Sequence, residues 1–143
     1  MNEIVENKID WHIVKLLEHA TSTERVREEY NLYQQIETRM LYGWKTNDVY
    51  VACIGIEMIE RHHAEIKHIA VNPDSRNQKL GSRMIDYVLQ ELGVHRLTAE
   101  TDCEAVGFYR HYGFAVSSLG EKYPGVERFL CVWEEKIPAH QTR

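Results

Sequence analysis

No apolar run in this sequence approaches the roughly 18 residues that a membrane-spanning helix needs. The N-terminal Met1-Asn-Glu-Ile-Val-Glu also lacks a basic stretch followed by an apolar one, so the expected location is the cytosol. Cysteine is scarce. Cys53, Cys103 and Cys131 are odd in number and far apart, which argues against a disulfide framework or a C-x-x-C metal site, and they read as reduced, mostly buried small hydrophobes. Positive charge is in deficit, with 17 Lys and Arg against 22 Asp and Glu, a net charge of -5 and a pI near 5.9. That balance disfavours a nucleic-acid partner and suits a cationic acceptor such as an amine. Two phosphate-binding signatures are missing as well. No G-x-G-x-x-G follows a strand, and Lys79 is followed by Leu80 with no glycine upstream, so G-x-x-x-x-G-K-[ST] is absent. Nucleotide hydrolysis and Rossmann chemistry are thereby disfavoured.

What is present reads as one α/β domain over residues 1–136, with residues 137–143 expected as a flexible tail. Residues 2–6 are expected to form a short strand. Ile9, Ile13, Leu16, Leu17 and Ala20 then follow helical spacing, and Thr21-Ser-Thr-Glu24 breaks and caps toward a second helix carrying Val26, Tyr30 and Tyr33. Alternation from Ile36 to Trp44, the turn Thr46-Asn-Asp48 and the Val- and Ile-rich run to Ile59 predict an antiparallel hairpin. Another strand, His63 to Val71, follows a turn at Arg61 and His62. The stripe Leu80, Met84, Ile85, Val88, Leu89 and Leu92 predicts a helix from about Gln78, ended by Gly93. With a strand over His95 to Glu100 this makes a right-handed crossover between parallel strands. Thr101-x-x-Glu104 reads as a capping box for a short helix through Tyr112, and Phe114 to Leu119 and Val126 to Trp133 read as a final hairpin.

The chain is organised around Ile66 to Ile85, where a strand passes through Asn72-Pro-Asp-Ser75 into a helix N-terminus. Unpaired N–H groups and the positive end of the dipole make such a turn a natural seat for phosphate oxygens, although an ordinary strand-to-helix connection has the same pattern. The residues Val71-Asn-Pro73 followed by Arg76-x-x-Lys79-x-Gly81 resemble the Val-x-Pro and [QR]-x-x-G-x-[GA] pattern of the GNAT superfamily of N-acetyltransferases. Lys79 departs from it by standing where the family usually has glycine. If that position requires positive φ, the lysine is strained. Ala105-Val-Gly-Phe-Tyr109-Arg-His-Tyr-Gly113-Phe114 resembles the family's A-x-x-F-Y-x-x-x-G-F segment at every fixed position.

The resemblance implies a mixed, mostly antiparallel sheet flanked by helices, with a central parallel, splayed strand pair. It also implies acetyl-CoA as co-substrate and transfer of acetyl to a primary amine by direct attack, with no metal. Arg76, Asn77, Gln78, Lys79, Leu80, Gly81 and Ser82 would cradle the pyrophosphate. A backbone N–H within Ile69, Ala70 and Val71 would hold the carbonyl oxygen, Phe108 would flank the cofactor, and Tyr109 would protonate the departing thiolate. Asp102 stands where the family often has asparagine, and as an acceptor only it puts donation to the pantetheine arm in doubt.

The proton route is assigned to Glu65. Strand alternation puts Glu65, Lys67, Ile69 and Val71 on one face and Ile66, His68 and Ala70 on the other, unless a bulge intervenes. A carboxylate inside a sheet-lined cleft is expected to have a raised pKa, suiting it as a base; an ordinary ion pair with Lys67 is the other reading. His68 is a second candidate for the base. Tyr30, Tyr33, Tyr42 and Trp44 either line the acceptor pocket or pack the core. The alternative from another class is a non-catalytic acyl-CoA-binding or protein-interaction module on the same fold. Homodimers are common in the family, and the sequence neither specifies nor excludes one.

Overall fold

The computed structural model describes residues 1–4 and 10–136. Its elements are β1 (Asn2–Glu3), α1 (Trp11–Leu17), α2 (Val26–Gln35), β2 (Arg39–Thr46), β3 (Val49–Glu60), β4 (His63–Val71), α3 (Leu80–Glu91), β5 (Arg96–Asp102), α4 (Val106–Tyr112), β6 (Ala115–Tyr123) and β7 (Val126–Glu134). The expected tail at 137–143 lies outside the described residues, as do Val5 and Glu6 of the predicted first strand.

Turn chemistry sets the strand order locally. Asn47 and Asp48 both have positive φ, 52° and 65°, which gives the two-residue hairpin turn whose twist matches its flanking strands. One 7-stranded sheet results, in the order β1-β2-β3-β4-β5-β7-β6, antiparallel throughout except for the parallel pair β4 and β5. This is the mixed, mostly antiparallel sheet that the family resemblance implies.

Each face of the sheet carries its own core. The stripe Leu80, Met84, Ile85 and Val88 of α3 buries against Ile54, Ile56, Leu97 and Ala99. On the opposite face, Ile13 and Leu17 of α1 and Val26 and Tyr30 of α2 bury with Leu41, Cys53 and Ala70. Each such Leu or Ile stabilises the fold by about 1.5–3 kcal/mol relative to exposure. Tyr30, Tyr33 and Tyr42 are buried in these cores, and Trp44 packs against the first while the Arg83 guanidinium lies over its ring, 5.3 Å from the centroid. All four pack in the core, and Tyr33 also reaches His68 with its hydroxyl.

Two expectations are corrected here. The helix after β4 begins at Leu80, because Pro73–Gln78 forms a 3-10 turn and Lys79 adopts left-handed backbone angles that no α-helix continues through. The Thr101 capping box is also replaced. Thr101 is a buried residue of β5, and Asp102 Oδ1 accepts instead from the N–H groups of Glu104 and Ala105, at 3.0 and 3.1 Å. One residue's slip is enough, because β5 continues to Asp102 and the short carboxylate then sits where an Asx turn can form.

Candidate active site

The geometry of β4 creates the site. Its parallel ladder with β5 runs from His63↔Arg96 to Ile66↔Ala99 and then stops, while its antiparallel ladder with β3 continues to Val71. Beyond Ile66 the two parallel strands diverge and leave a cleft between them. The ladder to β3 skips a residue at the same place. Ile56 pairs with Ile66 and Gly55 with His68, so Lys67 is an extra, bulged residue.

The bulge corrects the predicted alternation. Glu65 pairs with Glu57 and His68 with Gly55, and since Glu57 and Gly55 share a face of β3, Glu65 and His68 share a face as well. Ile69 and Val71 turn toward α3 with Ile66, and Ala70 joins the core under α1 and α2. Backbone polarity follows the same logic. The Asn72 N–H donates to the Val51 carbonyl at 2.7 Å, so alternation aims the Ala70 amide at β3 and the Ile69 and Val71 amides into the cleft. Of the three amides predicted for the carbonyl oxygen, Ile69 and Val71 are therefore the available ones.

The cleft has a volume of about 870 Å³, within the range of small-molecule sites. Arg76, Lys79, Leu80, Gly81 and Ser82 line one end, whereas Asn77 and Gln78 are not part of its wall. No side chain caps α3, so the first-turn N–H groups point outward without a side-chain acceptor. Arg76 Nε donates to the Val71 carbonyl at 3.4 Å, which folds its cation back over the turn. Lys79 has φ 58° and ψ 31°, the left-handed conformation for which the family's glycine is suited. A Cβ on Gly81 would come to 3.0 Å from the Phe108 ring, so the missing side chain is what lets α4 close over α3. This end is cationic, uncapped and free of bulk, as an anionic diphosphate requires.

Tyr109 forms the floor. It is 4% exposed, lines the cleft, and packs edge-on against Phe108 and Phe114. Its hydroxyl has no hydrogen-bond partner among the described residues, and burial pushes its pKa well above the usual range, so it stays protonated. Tyr112, by contrast, donates to Asp86 Oδ1 at 2.5 Å and does not line the cleft. Asp102 is in the wall with Oδ1 committed to the α4 turn.

Glu65 is not in the wall. Its carboxylate is partly exposed and pairs with Lys67 Nζ at 3.3 Å, and Lys67 itself lines the cleft. His68 lines it too but is 6% exposed, with Nδ1 2.5 Å from Tyr33 Oη and Nε2 3.4 Å from Glu29 Oε1. Burial pulls its pKa down to about 4, so the ring is neutral near pH 7.

Sequence reasoning missed Glu100 and Arg128, which line the wall opposite β4. Arg128 Nε meets Glu100 Oε2 at 3.1 Å and Lys122 Nζ meets Oε1 at 2.9 Å, and these two hydrogen bonds, Lys122 foremost, hold the Glu100 carboxyl below its usual range. Arg128 arrives from β7, far away in sequence, so no local pattern could have found it. Among the described residues no group of three or more His, Cys, Asp or Glu could hold a metal ion, and no helix is long and apolar enough to cross a membrane.

Comparison with known proteins extends this geometry to ancestry. A relative from Bacillus methanolicus, an uncharacterized N-acetyltransferase in the lysA 3' region, is 27% identical over 78 residues, or 54% of this chain. That match spans 65% of the relative's length. A GNAT family acetyltransferase from Elizabethkingia anophelis, solved with acetyl-CoA bound, superimposes with a TM-score of 0.71 at 20% identity, covering 93% of this chain and 95% of that one. The ribosomal-protein-S18-alanine N-acetyltransferase of Escherichia coli gives a TM-score of 0.71 at 18% identity, covering 92% and 91%. At these identities the structures share a fold. The family model described as acetyltransferase (GNAT) matches residues 11–114, from α1 through the cradle to the Tyr109 segment, and the chain belongs to that family.

Proposed function

We propose that the protein is an acetyl-CoA-dependent N-acyltransferase that moves an acetyl group to a primary amine by direct attack in a ternary complex. The observation that carries this reading is the convergence, in one cleft, of an uncapped cationic helix N-terminus, two inward-facing strand amides and an unpartnered, protonated tyrosine hydroxyl. Each answers one requirement of acyl transfer from a thioester. The α3 N-terminus with Arg76 and Lys79 binds the diphosphate, and Ile69 N–H polarises the acetyl carbonyl. The amine nitrogen attacks the carbonyl carbon, the C–N bond forms as the C–S bond breaks, and Tyr109 gives its proton to the leaving thiolate.

The amine's proton departs through Glu65, relayed by water past Lys67 at the cleft wall. His68 is the poorer base, since both ring nitrogens are engaged and burial keeps its proton affinity low. Reprotonation of Tyr109 from solvent balances the cycle. The acceptor is an amine of unspecified class, and acetyl is the acyl group proposed.

Calorimetric titration with acetyl-CoA, run beside free CoA, tests the reading first, followed by thiol release with a panel of amines. Micromolar binding and amine-dependent thiol release are expected. Binding without turnover on any amine would instead favour the non-catalytic acyl-CoA-binding module. Glu65→Gln is expected to depress the rate; unchanged turnover removes Glu65 from the proton route.

A further inference from the structure

Resting on the acetyl-transfer reading, we propose that Tyr33 and Glu29 are positioning residues: by gripping the His68 imidazole they hold the β4 bulge, and with it the Ile69 amide, in register with the acetyl carbonyl. The need for such a grip follows from the ladders. After Ile66 the strand has lost its parallel neighbour, and at Lys67 it has lost one residue of pairing with β3. A strand that is bulged and free on one side is held there by few backbone bonds, so side chains must fix where the next amide points.

His68 is the first residue after the bulge, and both of its ring nitrogens are tied to α2. Tyr33 and Glu29 stand four residues apart on that helix, so their side chains emerge together on one face. The Tyr33 hydroxyl is hydrogen-bonded to Nδ1 at 2.5 Å, and Nε2 faces the Glu29 carboxylate with Oε1 3.4 Å away. Glu29 is fixed in turn by Arg39 at 3.4 Å and Arg25 at 3.6 Å, and Arg39 also reaches Glu57 of β3 at 3.3 Å. The Arg39 guanidinium lies 5.7 Å from the centre of the Tyr33 ring.

Gly55 shows that the arrangement is built in. It is the residue paired with His68 across the ladder, and a Cβ on it would overlap the Tyr33 hydroxyl. Only glycine at 55 lets the tyrosine cross the sheet surface to the imidazole. A phenylalanine at 33 would supply the same apolar packing, so the hydroxyl and its cleared path serve the hydrogen bond to His68. A misplacement of about 1 Å in reacting geometry costs up to roughly 10²-fold in rate, so slackening this grip reaches the chemistry without touching substrate.

The test is the infrared carbonyl stretch of carbon-13-labelled acetyl-CoA bound to the full chain without acceptor. In the wild type the band is expected below its frequency in free acetyl-CoA. Tyr33→Phe is expected to return it toward the free value and to lower kcat about tenfold, with the acetyl-CoA Kd changed less than about twofold. Glu29→Gln, whose amide oxygen still faces Nε2, should retain the shift that Glu29→Ala loses. This pair gives the same reading if Tyr33→Phe does not fold. A band unmoved in folded Tyr33→Phe and Glu29→Ala, or unshifted in the wild type, overturns the positioning role. Failure of the wild type to bind acetyl-CoA overturns the acetyl-transfer reading beneath it.

Discussion

The Phe108 ring occupies the space where a side chain on Gly81 would stand, with two ring carbons 3.0 Å from the position of the missing Cβ. This contact joins α4 to the first turn of α3 and closes the cradle end of the cleft. Gly81→Ala gains about 1 kcal/mol of helix propensity but overpacks a closed contact, which costs about 1–3 kcal/mol. The clash wins because the Phe108 ring is itself held edge-on against Tyr109. Gly81→Ala is expected to lower the melting temperature slightly and to weaken acetyl-CoA binding roughly tenfold by calorimetry, as the ring tilts into the cleft.

Lys79 carries strain and charge that two substitutions separate. Its left-handed backbone costs a side-chain-bearing residue about 1–2 kcal/mol. Lys79→Gly relieves this, less about 0.5–1 kcal/mol for glycine's greater freedom in the unfolded chain, and is expected to raise the denaturation midpoint modestly. Lys79→Ala keeps the strain and loses the ammonium. Both are expected to bind acetyl-CoA more weakly with a shallower salt dependence, while only Lys79→Gly gains stability.

Tyr109→Phe keeps the ring that packs on Phe108 and Phe114 and removes only the hydroxyl. A decrease in kcat of about 10²-fold is expected, with acetyl-CoA affinity nearly unchanged. Because burial raises the Tyr109 pKa, the wild-type rate should show no alkaline loss attributable to this group below about pH 10. Unchanged turnover in Tyr109→Phe would remove it from the mechanism.

His68 makes stability depend on pH in a predictable direction. Its pKa falls from 6.5 to about 4 on folding, chiefly through burial, which outweighs the opposing Glu29 carboxylate, while Arg39, Lys67 and Arg25 push it lower. Between those values the unfolded chain binds more protons than the folded one. The contribution is therefore complete above about pH 6.5, is lost as pH falls toward 4, and levels off below. It amounts to about 3 kcal/mol at most. Urea denaturation of wild type and His68→Gln across this window should give curves that converge on acidification.

Much of this molecule is legible locally. The boundaries of β4 follow from turn residues at 61 and 62 and from Val71-Asn-Pro73, and the α3 stripe follows from its period. Strain at Lys79 depends on positive φ, and the backbone has it. Tyr109, Arg76 and Lys79 to Ser82, which line the cleft, stand in contiguous segments that a sequence can display, whereas Asn77 and Gln78 of the same segment are not in the wall. Such features depend on neighbours within a turn or a strand, where propensity and periodicity act.

The sequence by itself determined the elements, their order and the two segments that meet at the cleft. Tertiary structure decided which side of β4 each side chain takes. A single unpaired residue at Lys67 reverses the alternation, so Glu65 leaves the cleft wall while Ile69 and Val71 present their amides to it. It also decided that Tyr33, Gly55 and His68 form one contact and that Arg128 faces Glu100. The reason is register: a bulge shifts one ladder against another by one residue, and because side chains alternate with period two, that shift is invisible in either strand alone.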